Sequence, residues 1–148
     1  WLTLFRDKID EIMEQVKCPV AVFVNRQYRE GTTVSFVLGG MIDLFLFSYL
    51  DKMLQNGHSV RLFLFDTDDE EFRGRIDDLQ VRYPEQTMIV WFAGVEDLVT
   101  EEKDGLLIMS HLSYTKLSED EAVMRELSSL LVIRRNKNTG DKNEGLEN

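Results

Sequence analysis

The stretch TVSFVLGG, residues 33–40, decides the fold, because it is an apolar run of strand length that stops at two consecutive glycines. A continuous apolar run, rather than an alternating one, predicts a strand that is buried on both faces, as in parallel sheets. The segment that follows, residues 41–55, is apolar on most faces and predicts a heavily buried helix. Asn56-Gly57 is a typical helix stop.

The same alternation of strand and helix continues along the chain. Further strands are predicted at residues 59–65, 88–92, 106–109 and 130–133. Helical connections are predicted after the acidic turn 66–71 as far as about residue 83, at 95–102 and at 118–127. The last of these begins with Ser118 and has Glu121 three residues on, a capping-box pattern. From residue 32 onward, the sequence thus predicts an α/β fold: a three-layer, doubly wound, mostly parallel sheet of about five strands.

An extra helix and strand precede this unit. Apolar residues recur at a spacing of three to four over residues 5–16, which predicts an amphipathic helix, and Pro19 ends it. Residues 20–24 form a β-branched apolar run of strand length, and the polar stretch 25–31 is predicted to be a loop. Because the first residue is Trp1 rather than Met, we expect a piece of a longer chain.

Composition excludes several classes of function. The chain has 148 residues, with 27 acidic against 17 basic side chains and a formal net charge of −10, which argues against binding nucleic acid or anionic lipid. One Cys and two His argue against a disulfide framework, a thiolate metal cage and a His-rich metal site. The apolar runs are shorter than the roughly 20 residues that span a bilayer, and we see no signal peptide.

Two stretches resemble the close of a universal stress protein domain, where a helix runs into the last strand. One is KCPVAVFVNR, residues 17–26, and the other is SSLLVIRR, residues 128–135. Between them, residues 33–40 look like a fresh first strand. The order of elements over residues 32–133 is similar to the universal stress protein fold, a five-stranded domain of the adenine nucleotide alpha hydrolase type.

This resemblance implies a division of the chain into three parts. Residues 1–31 would be the tail of a preceding unit, residues 32–135 a complete unit, and residues 136–148 a disordered C-terminal tail. Paired units of this kind are similar to the cytosolic C-terminal region of bacterial monovalent cation:proton antiporters, which exchange Na⁺ or K⁺ for protons. Strands 20–24 and 130–133 are expected to pair, either within one chain or across a dimer.

The resemblance to antiporter regions implies a regulatory, non-catalytic role. The domain would lie on the cytoplasmic side of the bacterial inner membrane, as part of a multi-pass protein but without inserting into the membrane itself. Its partners would be the transmembrane antiporter domain of the parent chain and a second copy in a homodimer, with no nucleic acid. It would act through dimerisation, with ligand sensing as a further option.

The chain departs from nucleotide-binding members of the stress protein family at two places. The stretch that matches their glycine-rich phosphate loop is SHLSYTKL, residues 110–117, which has no glycine. The first strand ends in Leu38-Gly39-Gly40, where these members usually hold an Asp. We therefore expect no cofactor, although the alternative of a free-standing universal stress protein that binds an ATP- or AMP-type nucleotide stays open.

Candidate ligand-binding residues follow the strands, because open α/β sheets bind ligands at the carboxyl ends of their strands. They are Gly39, Gly40, Asp66, Thr67, Ser110 and His111.

Each candidate has a purely structural alternative. Gly39-Gly40 can be a tight strand-to-helix turn. The acidic run 66–71 can cap a helix rather than bind a divalent cation, since its spacing does not match an EF-hand loop. Adjacent strand residues point to opposite faces, so Ser110 and His111 are not a nucleophile–base pair, and we predict no catalytic and no metal-binding residues. A third hypothesis of function is a small α/β enzyme, but the sequence has neither a nucleophile elbow nor a dinucleotide fingerprint.

Overall fold

The computed structural model describes residues 2–15 (side chains from 8 to 14), 19–99 and 103–135. The strands are β1 (Val20–Val24), β2 (Val34–Leu38), β3 (Val60–Phe65), β4 (Thr87–Phe92), β5 (Leu106–Ser110) and β6 (Ser129–Arg134). The α-helices are α1 (Leu2–Gln15), α2 (Phe47–Gln55), α3 (Glu70–Arg82), α4 (His111–Leu117) and α5 (Glu121–Glu126). Single 3₁₀ helices span Met41–Leu46 and Val95–Leu98.

The strands form one six-stranded sheet in the order β1-β6-β5-β2-β3-β4. All neighbouring pairs are parallel except β1 and β6, which are antiparallel. The predicted α/β class with a mostly parallel sheet is therefore confirmed. Chain order runs outward from β2 in both directions, through β3 to β4 on one side and through β5 to β6 on the other. A reversal of this kind opens a crevice at the carboxyl ends of β2 and β5.

Helices cover both faces of the sheet, which gives three layers. On one face, α2 and α3 bury Leu50, Leu54, Phe72 and Ile76 against the side chains of Phe36, Leu38, Leu62 and Leu64. On the other face, α1, α4 and α5 bury Ile9, Met13, Leu117 and Met124 against Val37, Met109, Leu130 and Val132. Neighbouring strand residues point to opposite layers, which explains why β2 reads as a continuous apolar run.

Three local predictions differ from the structure. Residues 110–117, which the sequence resemblance matches to a phosphate loop, form helix α4 instead. Ser110 caps its first turn, and Tyr114 and Leu117 are buried on one side. The predicted capping box is wrong, since the Ser118 hydroxyl donates to Thr115 O at 2.8 Å and Asp120 caps α5 instead.

The predicted single helix over residues 41–55 is also different, because it begins as a 3₁₀ helix and becomes α2 only at Phe47. Its burial is one-sided, since Leu44, Leu46 and Leu50 are buried while Ile42 and Tyr49 are about half exposed.

The described residues contain no helix of the length and apolar character that crossing a membrane requires. The predicted disordered tail at 136–148 and Cys18 lie outside the described residues. The division of the chain into units stays a prediction, although α1 and β1 pack on the same sheet as the rest.

Two arginines clamp the antiparallel junction of β1 and β6 in similar ways. Arg26, just beyond β1, donates to Met124 O in α5 and to Leu127 O, the latter at 3.1 Å. Arg134, the last residue of β6, donates to Met13 O in α1. Each arginine thus reaches the carboxyl end of the helix that precedes the opposite strand, where carbonyl oxygens lack intrahelical partners.

Burial lowers the pKa of the Arg26 guanidinium from its ordinary value, and the nearby Tyr114 phenol acts in the opposite direction. Hydrogen bonds to Met124 O and Leu127 O hold the half-buried guanidinium. The contacts are reciprocal, because α1–β1 supplies Arg26 to α5 and α5–β6 supplies Arg134 to α1.

Arg26→Ala should lower the free energy of unfolding by about 1–3 kcal/mol, because it removes the guanidinium that donates to Met124 O and Leu127 O. Arg125→Ala is the matched control, since Arg125 forms only an exposed pair with Glu121 at 4.0 Å, a kind of pair that contributes about 0–1 kcal/mol. Urea denaturation measures both. Equal losses in the two variants would contradict the role of Arg26.

Candidate functional site

The candidate site lies at the carboxyl ends of the central strands. In the β2–β5 ladder Val37 lies opposite Met109, and in the β2–β3 ladder Leu38 lies opposite Leu64. The residues that follow each strand therefore meet at one edge of the sheet. The structure brings Gly39 and Gly40 together with Ser110 on one side, and places Asp66 on the other.

Asp43 is buried beside the end of β2. It lies in the first turn of the 3₁₀ helix after Gly40, is 1% exposed, and its Oδ2 accepts the Gly39 N–H at 2.6 Å and the Ser113 hydroxyl at 3.2 Å. The carboxylate thus joins the end of β2 to the first turn of α4. Its Oδ1 is buried and has no hydrogen-bond partner. Sequence reasoning missed Asp43, although a lone acid inside an apolar run was the signal, because charges are rarely buried without a reason.

The hydrogen bonds of Ser110 and His111 stabilise helix α4 and its contact with α1. The Ser110 hydroxyl accepts the Ser113 N–H at 3.1 Å, which caps α4. The His111 Nε2 lies 2.8 Å from Asp10 Oδ1 and so connects α4 to α1. The two side chains are not hydrogen-bonded to one another in these contacts. Residues 110–117, which the sequence resemblance matches to a phosphate loop, thus form the capped helix α4.

Asp66 and Thr67 are engaged within their own loop. Asp66 Oδ1 pairs with the Arg73 guanidinium at 2.8 Å, and Arg73 Nε donates to Thr67 O at 2.6 Å. The same guanidinium lies 4.3 Å from the centre of the half-exposed Trp91 ring. Helix α3 is capped by Asp69, whose Oδ1 accepts the N–H groups of Glu71 and Phe72. The structural alternative for the acidic run, a helix cap, therefore accounts for its main contacts.

The described residues contain no cluster of three or more His, Cys, Asp or Glu side chains that could hold a metal ion. An open groove of about 1200 Å³ lies at the opposite edge of the sheet, beside the amino ends of β2, β3 and β4. Gln86 crosses part of it, since its Nε2 donates to Leu54 O and His58 O at 2.8 and 2.9 Å. The groove is remote from the crevice at which parallel sheets bind ligands.

Comparison with protein-family models, with curated proteins and with solved structures found no match to this chain.

Gly39→Ala should lower the free energy of unfolding by about 1 kcal/mol or more, because the new methyl group would lie 3.2 Å from Asp43 Oδ2 and force the carboxylate away. Gly74→Ala is the matched control in the exposed part of α3, where a methyl group meets nothing within 4 Å. That variant should gain about 0.5–1 kcal/mol. Thermal or urea unfolding distinguishes them, and a stabilising Gly39→Ala would contradict the tight contact.

Asp69→Ala should cost about 1 kcal/mol of stability, because it removes the acceptor for two N–H groups at the start of α3. Asp68→Ala removes an exposed neighbouring acid and should change stability by less than about 0.5 kcal/mol. Urea denaturation of both variants tests the assignment. A larger loss in Asp68→Ala would refute it.

Proposed function

We propose that this chain is a cytosolic regulatory, non-catalytic domain of a bacterial monovalent cation:proton antiporter, built from universal stress protein-like units. It acts by pairing with a second unit and by sensing a small ligand. Its partners are the transmembrane domain of the parent chain and a second copy in a homodimer.

The strand order supports the stress protein-like part of the proposal. Counted from β2, the five parallel strands lie in the order 5-4-1-2-3 across the sheet, which is the open doubly wound arrangement with its crevice between strands 1 and 4. The sequence resemblance over residues 32–133 implies the same arrangement. A fold of this kind hosts many functions, so the fold alone does not select one.

The antiparallel junction of β1 and β6 is the observation that carries the proposal. Five residue pairs join β1 to β6, from Val20 opposite Arg134 to Val24 opposite Leu130. The helix before each strand receives an arginine from the end of the other strand. Reciprocal contacts between two helix–strand pairs agree with the sequence resemblance, in which both pairs resemble domain endings. This favours two stress protein-like units that meet through their last strands.

A regulatory unit needs a ligand or contact whose free energy differs between two states of the transporter. The crevice at Gly39 and Asp43 offers the polar groups, and the β1–β6 junction offers the contact. Both lie on rigid strand ends, so a change at either is transmitted to the sheet. We expect no bound cofactor at the site.

The experiment is cation-driven proton exchange in everted membrane vesicles that carry the full-length product of the parent gene, followed with a pH-sensitive dye on addition of NaCl or KCl. Arg26→Ala combined with Arg134→Ala should change the exchange rate by about fivefold or more, because it disrupts the junction. Asp69→Ala is the control, since it destabilises α3 without touching the junction.

A parent protein without cation:proton exchange would overturn the proposal. So would a junction variant whose exchange rate equals that of Asp69→Ala at the same amount of protein in the membrane.

A further inference from the structure

Strand β4 lies at one end of the sheet, and its outer edge is open within the described residues. The strand has six residues, TMIVWF, with no charged side chain and no proline. Met88 is 60% exposed and Trp91 is 38% exposed, although both are large apolar residues. Natural sheets usually protect an edge with a charge, a proline or a covering element, so a bare edge of this length indicates a strand partner.

The backbone of β4 offers hydrogen bonds at alternate residues. The carbonyl groups of Gln86 and Phe92 accept N–H groups at the two ends of β3, so the even-numbered residues of β4 face β3. Ile89 and Trp91 therefore direct their N–H and C=O groups outward, away from the sheet. Thr87 has the same direction but is buried. The accessible outward groups are thus those of Ile89 and Trp91.

A second copy of β4 would satisfy these outward groups. Residues that face each other in an antiparallel pair lie on the same side of the sheet. About a two-fold axis at Val90, Ile89 of one copy would face Trp91 of the other. Because both residues direct their N–H and C=O groups outward, each of the two symmetric pairs would exchange two hydrogen bonds. The open edge is in this sense complementary to itself.

Charges on α3 fit the same arrangement. The Arg73 guanidinium lies 4.3 Å from the centre of the Trp91 ring, so this flank of α3 lies over the carboxyl end of β4. Tyr83, just after α3, accepts the Thr87 hydroxyl at the amino end of β4, so the helix runs against the strand. Asp77 lies one turn after Arg73 on the same flank, is exposed and forms no ion pair with the described residues. An antiparallel copy therefore brings Arg73 of one chain alongside Asp77 of the other.

We infer that the outer edge of β4 is the homodimer interface of this chain, where a second copy pairs antiparallel and continues the sheet. The inference rests on the proposed function for the existence of a homodimer and for the use of the opposite edge. In that proposal β1 is the last strand of its own unit, and its outer side belongs to that unit, as β5 lies beside β6. The edge of β4 is then the one that a second copy reaches.

The test is sedimentation equilibrium of the purified chain over a series of concentrations, beside three variants. Met88→Glu places a charge on the open edge, next to Arg61 of β3, and should weaken dimerisation about tenfold or more because pairing desolvates that charge. Val81→Glu and Phe23→Glu are the matched controls. Val81 is 78% exposed in α3 and Phe23 is 47% exposed on β1, so both variants should dimerise like the natural chain.

Charge reversal tests the contact between the two copies of α3. Asp77→Lys faces Arg73 of the second copy and should weaken dimerisation. Glu119→Lys makes the same change of charge at an exposed position between α4 and α5, and should not weaken it. Because the chain has a formal net charge of −10, a general electrostatic effect would strengthen association in both variants.

Amide exchange followed by NMR is a readout that needs no variant. The amides of Ile89 and Trp91 should exchange more slowly as the protein concentration rises, because their N–H groups are bonded only in the dimer. The amides of Met88 and Val90 are bonded to β3 at every concentration and provide the internal control.

Four results would overturn the inference. They are a chain that stays monomeric throughout the series, equal weakening by Met88→Glu and Val81→Glu, a dimer that Phe23→Glu weakens and Met88→Glu does not, and exchange at Ile89 and Trp91 that does not depend on concentration. None of these measurements involves proton exchange in vesicles, so the interface and the antiporter assignment fail separately.

Discussion

The fold depends on strand β2, which is hydrogen-bonded to β3 on one side and to β5 on the other and is buried on both faces. Phe36 and Leu38 point into the layer of α2 and α3, while Val37 points into the layer of α1 and α4. Because the chain leaves β2 in one direction and returns to its other side, the two neighbouring crossovers diverge. The crevice above Gly39 follows from that divergence, whatever it binds.

Asp43 joins the end of β2 to helix α4 at the candidate site. One oxygen of its carboxylate accepts hydrogen bonds from the end of β2 and from α4, and the other oxygen is buried without a hydrogen-bond partner. A neutral side chain of the same shape would hold the two elements together at a smaller electrostatic cost.

The strands could be predicted from the sequence because β2, β3, β5 and β6 are continuous apolar runs, and the six strands lie within one or two residues of their predicted positions. Helix α4 could not be predicted from the sequence, since only Tyr114 and Leu117 mark its buried side and its cap, Ser110, is the last residue of a strand. For the candidate site, the sequence predicted that Gly39, Gly40 and Ser110 lie at the same edge of the sheet, and the structure places them there. It missed Asp43, because hydrogen bonds and burial at an isolated acid emerge only from tertiary packing.

The antiparallel pairing of β1 with β6 has a consequence for how the chain acquires its structure. The partners Arg26 and Ser129 are 103 residues apart in sequence, so this ladder closes the longest loop of the sheet. During synthesis, β1 leaves the ribosome well before β6 and finds its partner only when β6 has emerged. Until then β1 presents an unpaired apolar strand with Phe23 facing outward. The edge of β1 is thus protected only after β6 has been made, and truncation before β6 would convert β1 into a site of aggregation.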